Sequence, residues 1–273
     1  MKPENTVDRI HGLLLAGGSA FGLGAADGVV RYLREVGLGF DTGYIRVPLV
    51  PAAVIYDYPG NKSGGTLPDA ALGYQAALAA GKNPVASGPI GAGVSATAGK
   101  ACGPDLASPS GLGSHGFKDG DLMVAALCVV NPFGSIVDPE SGRIISGLRR
   151  KDGSLADRAE IIAAIKARHF RLDQNGGGNT VLAAVGTNAR LSKIGAYRLA
   201  RMASFGLSRA IYPAGLIYDG DTVFALSSNC GPEVDEAWLG SLAAEAVAGA
   251  IVDSALSFIA PTGDLCCAIS DYR

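Results

Sequence analysis

Two kinds of apolar pattern alternate along the chain. Continuous apolar runs, LMVAALCVV (122–130) and TVLAAVGTNA (180–189), predict strands covered on both faces. HGLLLAGG (11–18) predicts a short buried strand entering a turn, and AAVIYDY (52–58) and DTVFALSS (221–228) predict two more strands. Between them, apolar positions recur at helical spacing in SAFGLGAADGVVRYLREVG (19–37), PDAALGYQAALAAG (68–81), LADRAEIIAAIKARHF (155–170) and LSKIGAYRLARMASFGLSRAI (191–211). Pro68 and Gly81 punctuate the second of these, Ser192 is placed to cap the fourth, and a last helix is predicted from near Asp235. The segment 102–121, rich in Gly, Pro and Ser, is expected to be a surface loop. Buried strands alternating with helices, with no linker between them, predict an α/β fold: a layered sandwich forming one domain.

Composition narrows the function classes. The chain has 273 residues, 48% of them hydrophobic and 18% charged, which is enough for a sizeable core. A net charge of −2 gives no electrostatic footprint for nucleic acid or an anionic membrane. The most apolar helix, Leu239 to Ile259, carries Glu245 and Asp253 and reads as a core helix rather than a membrane span. Five cysteines (102, 128, 230, 266, 267) form no C-x-x-C pair and no zinc-like cluster, so no metal is expected. With no signal-like apolar stretch in MKPENTVDRI, a reducing, cytoplasmic location is expected.

Glycine is abundant, at 39 residues, and two glycine-rich stretches imitate nucleotide sites. In GAGVSATAGKA (91–101), five residues rather than four separate Gly93 from Gly99, and Ala101 stands where a P-loop has its hydroxyl. LAGGSAFGLG (15–24) fits neither a dinucleotide turn nor a nucleophile elbow. The three histidines (11, 115, 169) have no partner at triad-like spacing and are expected on the surface or in turns. YDGDTVF (218–224) places two carboxylates around one glycine ahead of a strand: a turn, or a pair of acids that orients a nucleophile.

The segment GGGNTVLAAV (176–185) sets flexible backbone directly against a threonine that opens a buried strand. Such a junction is a common loop-to-strand transition. It also has the parts for self-cleavage: glycines permit unusual φ/ψ values at the preceding peptide, and a rigid strand fixes the threonine hydroxyl. A threonine with a freed α-amine carries its own base.

Several blocks together resemble one autoprocessing family. NTVLAAVGTNARLSK (179–193), LARMASFGLSRAI (199–211) and YDGDTVFAL (218–226) are similar to its nucleophile strand, following helix and acidic turn. HGLLLAGGSAFGLGAADGVVRYL (11–33), AVIYDY (53–58), GAGVSATAGK (91–100) and VVNPFGSIVD (129–138) resemble its earlier blocks in the same order, so the likeness covers nearly the whole chain. The family contains L-aminopeptidase/D-esterases, β-peptidyl aminopeptidases and nylon-oligomer (6-aminohexanoate oligomer) hydrolases.

The resemblance implies a four-layer αββα sandwich of the N-terminal-nucleophile-hydrolase kind, spanning 1–273 and cleaved between Asn179 and Thr180. It implies Thr180 as nucleophile, Lys100 as the active-site lysine of the nylon-oligomer branch, Asn131 as an oxyanion donor and Asp219 and Asp221 as the acidic pair. Tyr56 falls in a block near the substrate. No cofactor is implied; the expected partners are a small peptide or amide-oligomer substrate and further copies of the chain, a homo-oligomer and by resemblance a tetramer. The aminopeptidases carry a glutamate where PAAVI (51–55) has Ile55, which points toward cleavage within an amide oligomer. Family members also have some tens of residues before the block matching the start of this chain, so part of the family domain is expected to be missing. The alternatives are an aminopeptidase releasing N-terminal residues, a non-catalytic uncleaved homologue acting as a binding or assembly subunit, and an acyltransferase resembling the ornithine acetyltransferases.

Overall fold

The computed structural model describes residues 3–58, 67–81, 85–167, 178–259 and 269–271. In chain order, β1 (Leu14–Ala16) leads through a 3₁₀ turn into α1 (Ala25–Glu35). A small hairpin, β2 (Phe40–Asp41) and β3 (Arg46–Val47), precedes β4 (Ala52–Val54) and α2 (Ala70–Ala79). The pair β5 (Thr97–Ala98) and β6 (Ser108–Pro109) is followed by β7 (Leu112–Asp119), β8 (Leu122–Asn131), β9 (Ser135–Val137), β10 (Ile144–Ser146) and α3 (Arg158–Ala167). Then come β11 (Thr180–Thr187), α4 (Lys193–Ala203), α5 (Phe205–Ala210), β12 (Ile211–Tyr212), β13 (Thr222–Ser227), α6 (Glu236–Ile259) and β14 (Ile269–Asp271).

The central sheet has the order β13-β11-β8-β7-β14. β11 runs antiparallel to β8 along eight register pairs, from Thr180↔Asn131 to Thr187↔Val124, and parallel to β13 on its other side. Strand alternation splits the core between its two faces. Val181, Ala183 and Val185 join α4, α5 and α6 in the main cluster, with Leu199, Leu207, Val247 and Ile251. Leu182 on the opposite face meets Val129, Ala96 and Ile55, with Leu15 and Ala53 from β1 and β4 against them. The parallel pair β1–β4 turns its other face, Leu14, Ala16 and Val54, onto Ala25 and Val29 of α1, which α2 packs against. The layers therefore run helix, sheet, sheet, helix, as expected, although the second sheet contributes only two strands among the described residues.

The loop expected over 102–121 is corrected: Leu112–Asp119 is β7, inside the central sheet. Gly113 within the strand is there for closeness of packing rather than for turning. A Cβ at Gly113 would lie 2.1 Å from the carbonyl oxygen of Ala250, so the α6 backbone rests directly on the strand. Three other expectations shift. The helix over 191–211 is broken after Ala203 into α4 and α5, with Ser192 capping the first by accepting from Gly195 N–H at 3.0 Å. The helix expected to start at Pro68 begins at Ala70 as α2, with Asp69 capping it: its carboxylate accepts from Leu72 N–H at 2.8 Å. β8 is covered on both faces only toward its C-terminal end, because Met123 near its start is exposed.

Histidines 11 and 115 serve structure. His11 Nδ1 accepts from Leu49 N–H at 3.2 Å. His115 is not in a turn but on β7, its ring against Gly249 of α6 and Phe117, and burial lowers its pKa. His169, Gly176, Gly177, Cys266 and Cys267 lie outside the described residues. Cys128 is a buried core thiol whose pKa burial raises.

Candidate active site

The sheet brings three chain segments to one point. Thr180 begins β11 and pairs with Asn131, the last residue of β8. One residue earlier, Asn179 bridges in parallel to Asp219, in the turn that feeds β13. The Asn179–Thr180 peptide thus sits between the end of β8 and the acidic turn, with Asn179 buried at 8% exposure.

The carbonyl oxygen of Asn179 accepts two hydrogen bonds, from Thr180 Oγ1 at 2.6 Å and from Gly220 N–H at 2.8 Å. The first holds the threonine hydroxyl on the same side as the carbonyl it would attack. Addition of Oγ1 to that carbon closes a five-membered ring through N, Cα and Cβ. Upstream, Gly178 has φ +139°, a conformation that side-chain-bearing residues rarely adopt, and its Cα packs on Tyr56, where a Cβ would come 2.6 Å from the ring. The structure gives this glycine of the Gly-Gly-Gly-Asn-Thr stretch both a backbone and a steric reason.

Asn131 is 1% exposed and uses its side-chain amide in full. Its Nδ2 donates to the carbonyls of Tyr56 and Gly178, both at 2.9 Å. Its Oδ1 accepts from Thr97 N–H at 3.0 Å and from Lys100 Nζ at 2.8 Å. Lys100 also donates to the carbonyls of Thr97 at 2.8 Å, Asn131 at 3.0 Å and Pro132 at 3.1 Å. Burial pushes its pKa down to about 7, against the opposing pull of the Asp219 carboxylate. Its backbone is pinned where Lys100 N–H meets the Phe133 carbonyl at 2.9 Å, and Phe133 anchors a separate cluster with Leu148 and Ile161 of α3.

The two acids act on backbone. Asp219 accepts from Leu216 N–H at 3.0 Å and Phe133 N–H at 3.3 Å, and burial raises its pKa against those bonds. Asp221 accepts from Val181 N–H at 2.8 Å. Burial raises Asp221 to about 6, against that bond and with the neighbouring Asp219 charge adding to the rise. Tyr56 is half-exposed, its ring edge-on to Tyr58 at 5.2 Å. A cavity of about 450 Å³ between α4, α5 and β13 reaches Asp221 from the helix side of the sheet.

All the residues singled out from sequence, Thr180, Asn179, Lys100, Asn131, Asp219, Asp221 and Tyr56, therefore meet around one peptide bond. Sequence reasoning passed over Gly220 and the Thr97 carbonyl, because main-chain donors and acceptors carry no residue-type signal. Only the glycine between the two acids hints at the first. Ile55 faces elsewhere than the substrate-gripping position of the aminopeptidases suggests: at 0% exposure it packs on Leu182 and Val129. Among the described residues no group of three His, Cys, Asp or Glu is placed to hold a metal ion.

Comparison with known proteins gives a consistent picture. The model of peptidase family S58 matches residues 1–261. A Mycobacterium tuberculosis (strain H37Rv) protein described as an uncharacterized aminopeptidase is 41% identical over 234 residues, covering 84% of this chain and 64% of its own length. The 6-aminohexanoate-oligomer endohydrolase of Kocuria sp. (strain KY2) is 32% identical over 258 residues, covering 90% of this chain and 71% of its own. Among solved structures, the L-aminopeptidase D-Ala-esterase/amidase of Ochrobactrum anthropi, described as a variant of the Ntn hydrolase fold, aligns with a TM-score of 0.56 at 19% identity. That alignment covers 86% of this chain and 62% of the other. A Burkholderia sp. β-aminopeptidase aligns with a TM-score of 0.55 at 21% identity, over 88% of this chain and 65% of its own. The chain spans about two-thirds of the length of the mycobacterial relative and shares the Ntn hydrolase fold.

Proposed function

This chain belongs to peptidase family S58, and we propose that it cuts its own Asn179–Thr180 bond and then hydrolyses peptide or amide bonds with Thr180 as nucleophile. The observation that carries the reading is the double hydrogen bond on the Asn179 carbonyl, from Thr180 Oγ1 at 2.6 Å and Gly220 N–H at 2.8 Å.

In self-cleavage, Thr180 Oγ1 adds to the Asn179 carbonyl carbon while its proton leaves toward the group formed by Lys100, Asp219 and Asp221. Lys100 and Asp221, brought to about 7 and about 6, are suited to exchange a proton near neutral pH. The C–N bond then breaks, the nitrogen takes a proton, and Asn179 is left as an ester on Thr180. Water hydrolyses that ester, releasing the Asn179 carboxylate and restoring the hydroxyl beside a new α-amine. That amine is the base for later turnover, in which a substrate acyl group passes to Oγ1 and then to water.

The substrate class follows from relatives: small peptides, or amide oligomers of the kind the Kocuria endohydrolase is named for. An aminopeptidase is the second reading, favoured by the description of the mycobacterial relative. Ile55 is buried in the core, so it does not separate the two readings. A homo-oligomer working in the cytoplasm completes the proposal; exposed Phe40, Tyr44 and Ile45 around the β2–β3 hairpin offer apolar surface for a further copy, and sedimentation velocity tests it.

Intact mass of the purified protein is the decisive measurement. Fragments 1–179 and 180–273 are expected from the natural chain, and a single species from Thr180→Ala. A folded natural chain that stays whole on long incubation favours the non-catalytic alternative. Hydrolysis of a free-amine oligomer but not its N-acetylated form assigns the aminopeptidase reading.

A further inference from the structure

Gly220 stands between the two acids of the turn, where an Asp-Gly pair suggests a conformational need. Its φ is outside the left-handed region, so no such need exists. The constraint is space: a Cβ at this position would lie 2.9 Å from Thr180 Oγ1 and 3.8 Å from the Asn179 carbonyl oxygen. The same residue's N–H already donates to that oxygen at 2.8 Å.

We propose that Gly220 is a catalytic residue of self-cleavage: its N–H carries the oxyanion of Asn179, and its missing side chain leaves room for the attacking hydroxyl. The inference rests on the reading that the chain cuts at Asn179–Thr180.

Counting donors on the reacting oxygen supports the assignment. Before attack there are two among the described residues, Thr180 Oγ1–H and Gly220 N–H. When Oγ1 bonds to the carbonyl carbon, its proton leaves toward the group of Lys100, Asp219 and Asp221, and the C=O pair of electrons moves onto oxygen. The hydroxyl donor is thereby lost at the moment charge develops, and among the described residues Gly220 N–H is the donor that remains. Asn131 Nδ2 does not replace it, because its two hydrogens are engaged by the Tyr56 and Gly178 carbonyls. On collapse the electrons return, the C–N bond breaks and the nitrogen is protonated. A fixed donor contributes most when it needs no reorganisation. Here the turn is clamped on both sides: Asp219 holds Leu216 N–H and Phe133 N–H, and Asp221 holds Val181 N–H.

The test deletes the donor alone. Incorporating glycolic acid at 220 by nonsense suppression converts that amide to an ester in the otherwise natural full-length chain. An ester at 228 is the control, since Ser228 N–H makes an equivalent bond to the Thr187 carbonyl, at 3.0 Å, near the other end of β11 and β13. Self-cleavage is followed by intact mass and folding by circular dichroism. The 220 ester is expected to cut about 10²-fold more slowly, with the 228 ester cutting at the natural rate. A 220 ester cutting within about twofold of the natural chain overturns the proposal while leaving self-cleavage intact. Equal slowing by both esters also overturns it, since the bond then serves strand docking. A natural chain that never cuts defeats the underlying reading instead. Gly220→Ala keeps the donor and fills the space, so it provides a second probe in a chain made by ordinary expression: at least about tenfold slower cleavage is expected, and an unchanged rate overturns the steric half.

Discussion

Asn131 Nδ2 donates to the carbonyl of Gly178 at 2.9 Å, one residue before the bond proposed to be cut. The amide that the family resemblance assigns to an oxyanion is thus occupied, in the uncut chain, by the segment that cutting would release. Asn131→Asp tests this arrangement. It removes both donors and puts a carboxylate beside Lys100, whose Nζ is 2.8 Å from Oδ1. Self-cleavage is expected to slow at least about tenfold, with its pH midpoint displaced upward because a carboxylate favours the ammonium form. Intact mass against time over a pH series reads both effects.

Lys100 gives the reaction a pH dependence of fixed sign. Its amine is neutral above about 7 in the folded protein, whereas an unfolded lysine stays charged to about 10.5. Self-cleavage is therefore expected to rise through about pH 7 and level off, and Lys100→Met is expected to abolish that rise. The linked effect on stability has the same direction: between about 7 and 10.5 the unfolded chain binds more protons, so stability increases with pH across that window. Asp221 acts oppositely. Its folded pKa of about 6 exceeds the unfolded 3.8, so its contribution is fully present below 3.8 and is lost as pH rises through about 6. Denaturation midpoints of the Thr180→Ala chain, with and without Asp221→Asn, separate the two.

Gly178→Ala places a Cβ 2.6 Å from the Tyr56 ring at a φ of +139°. Cleavage is expected to slow by at least about tenfold, since strain of roughly 1–3 kcal/mol displaces the Asn179 carbonyl. Adding Tyr56→Ala removes the collision and leaves the φ strain, so partial recovery is expected. Full recovery would assign the whole effect to the ring.

Gly113→Ala probes the fold without touching the site. A Cβ there meets the Ala250 carbonyl at 2.1 Å and the Ser254 N at 2.5 Å. Both are α6 backbone, which cannot rotate away, so the helix must lift from β7. The expected loss is at least the roughly 1–3 kcal/mol of an overpacked core, measured by urea denaturation in a Thr180→Ala background.

Legibility from sequence followed the side chains. β11 was readable because TVLAAVGT is apolar on both faces and both faces are covered, by α4–α6 and by Ile55 with Leu15. β7 was not, because GLGSHGF carries the glycines of a loop while using one of them to let the α6 backbone settle on the strand. At the site, Lys100 and Asn131 became meaningful only through resemblance, whereas the Asp219/Asp221 pair was already readable as a turn or as acids orienting a nucleophile. Their hydrogen bonds run mostly to main-chain atoms: the Thr97 and Pro132 carbonyls and the Val181, Leu216 and Phe133 N–H groups. Those partners depend on where strands end, which side-chain pattern does not specify.

If the proposed cut at Asn179–Thr180 is made, the eight pairings between β11 and β8 have a consequence for the product. The bond that would be severed joins Asn179 to Thr180, the first residue of that ladder, so both pieces would stay interleaved in one sheet under α6. Native contacts are then almost unaltered, while the denatured state becomes two independent chains instead of one. Reassembly acquires a second-order step, and the melting temperature of matured protein rises with its concentration, as for a heterodimer. A single cleavage would thus convert a monomolecular folding equilibrium into an association equilibrium without moving a strand.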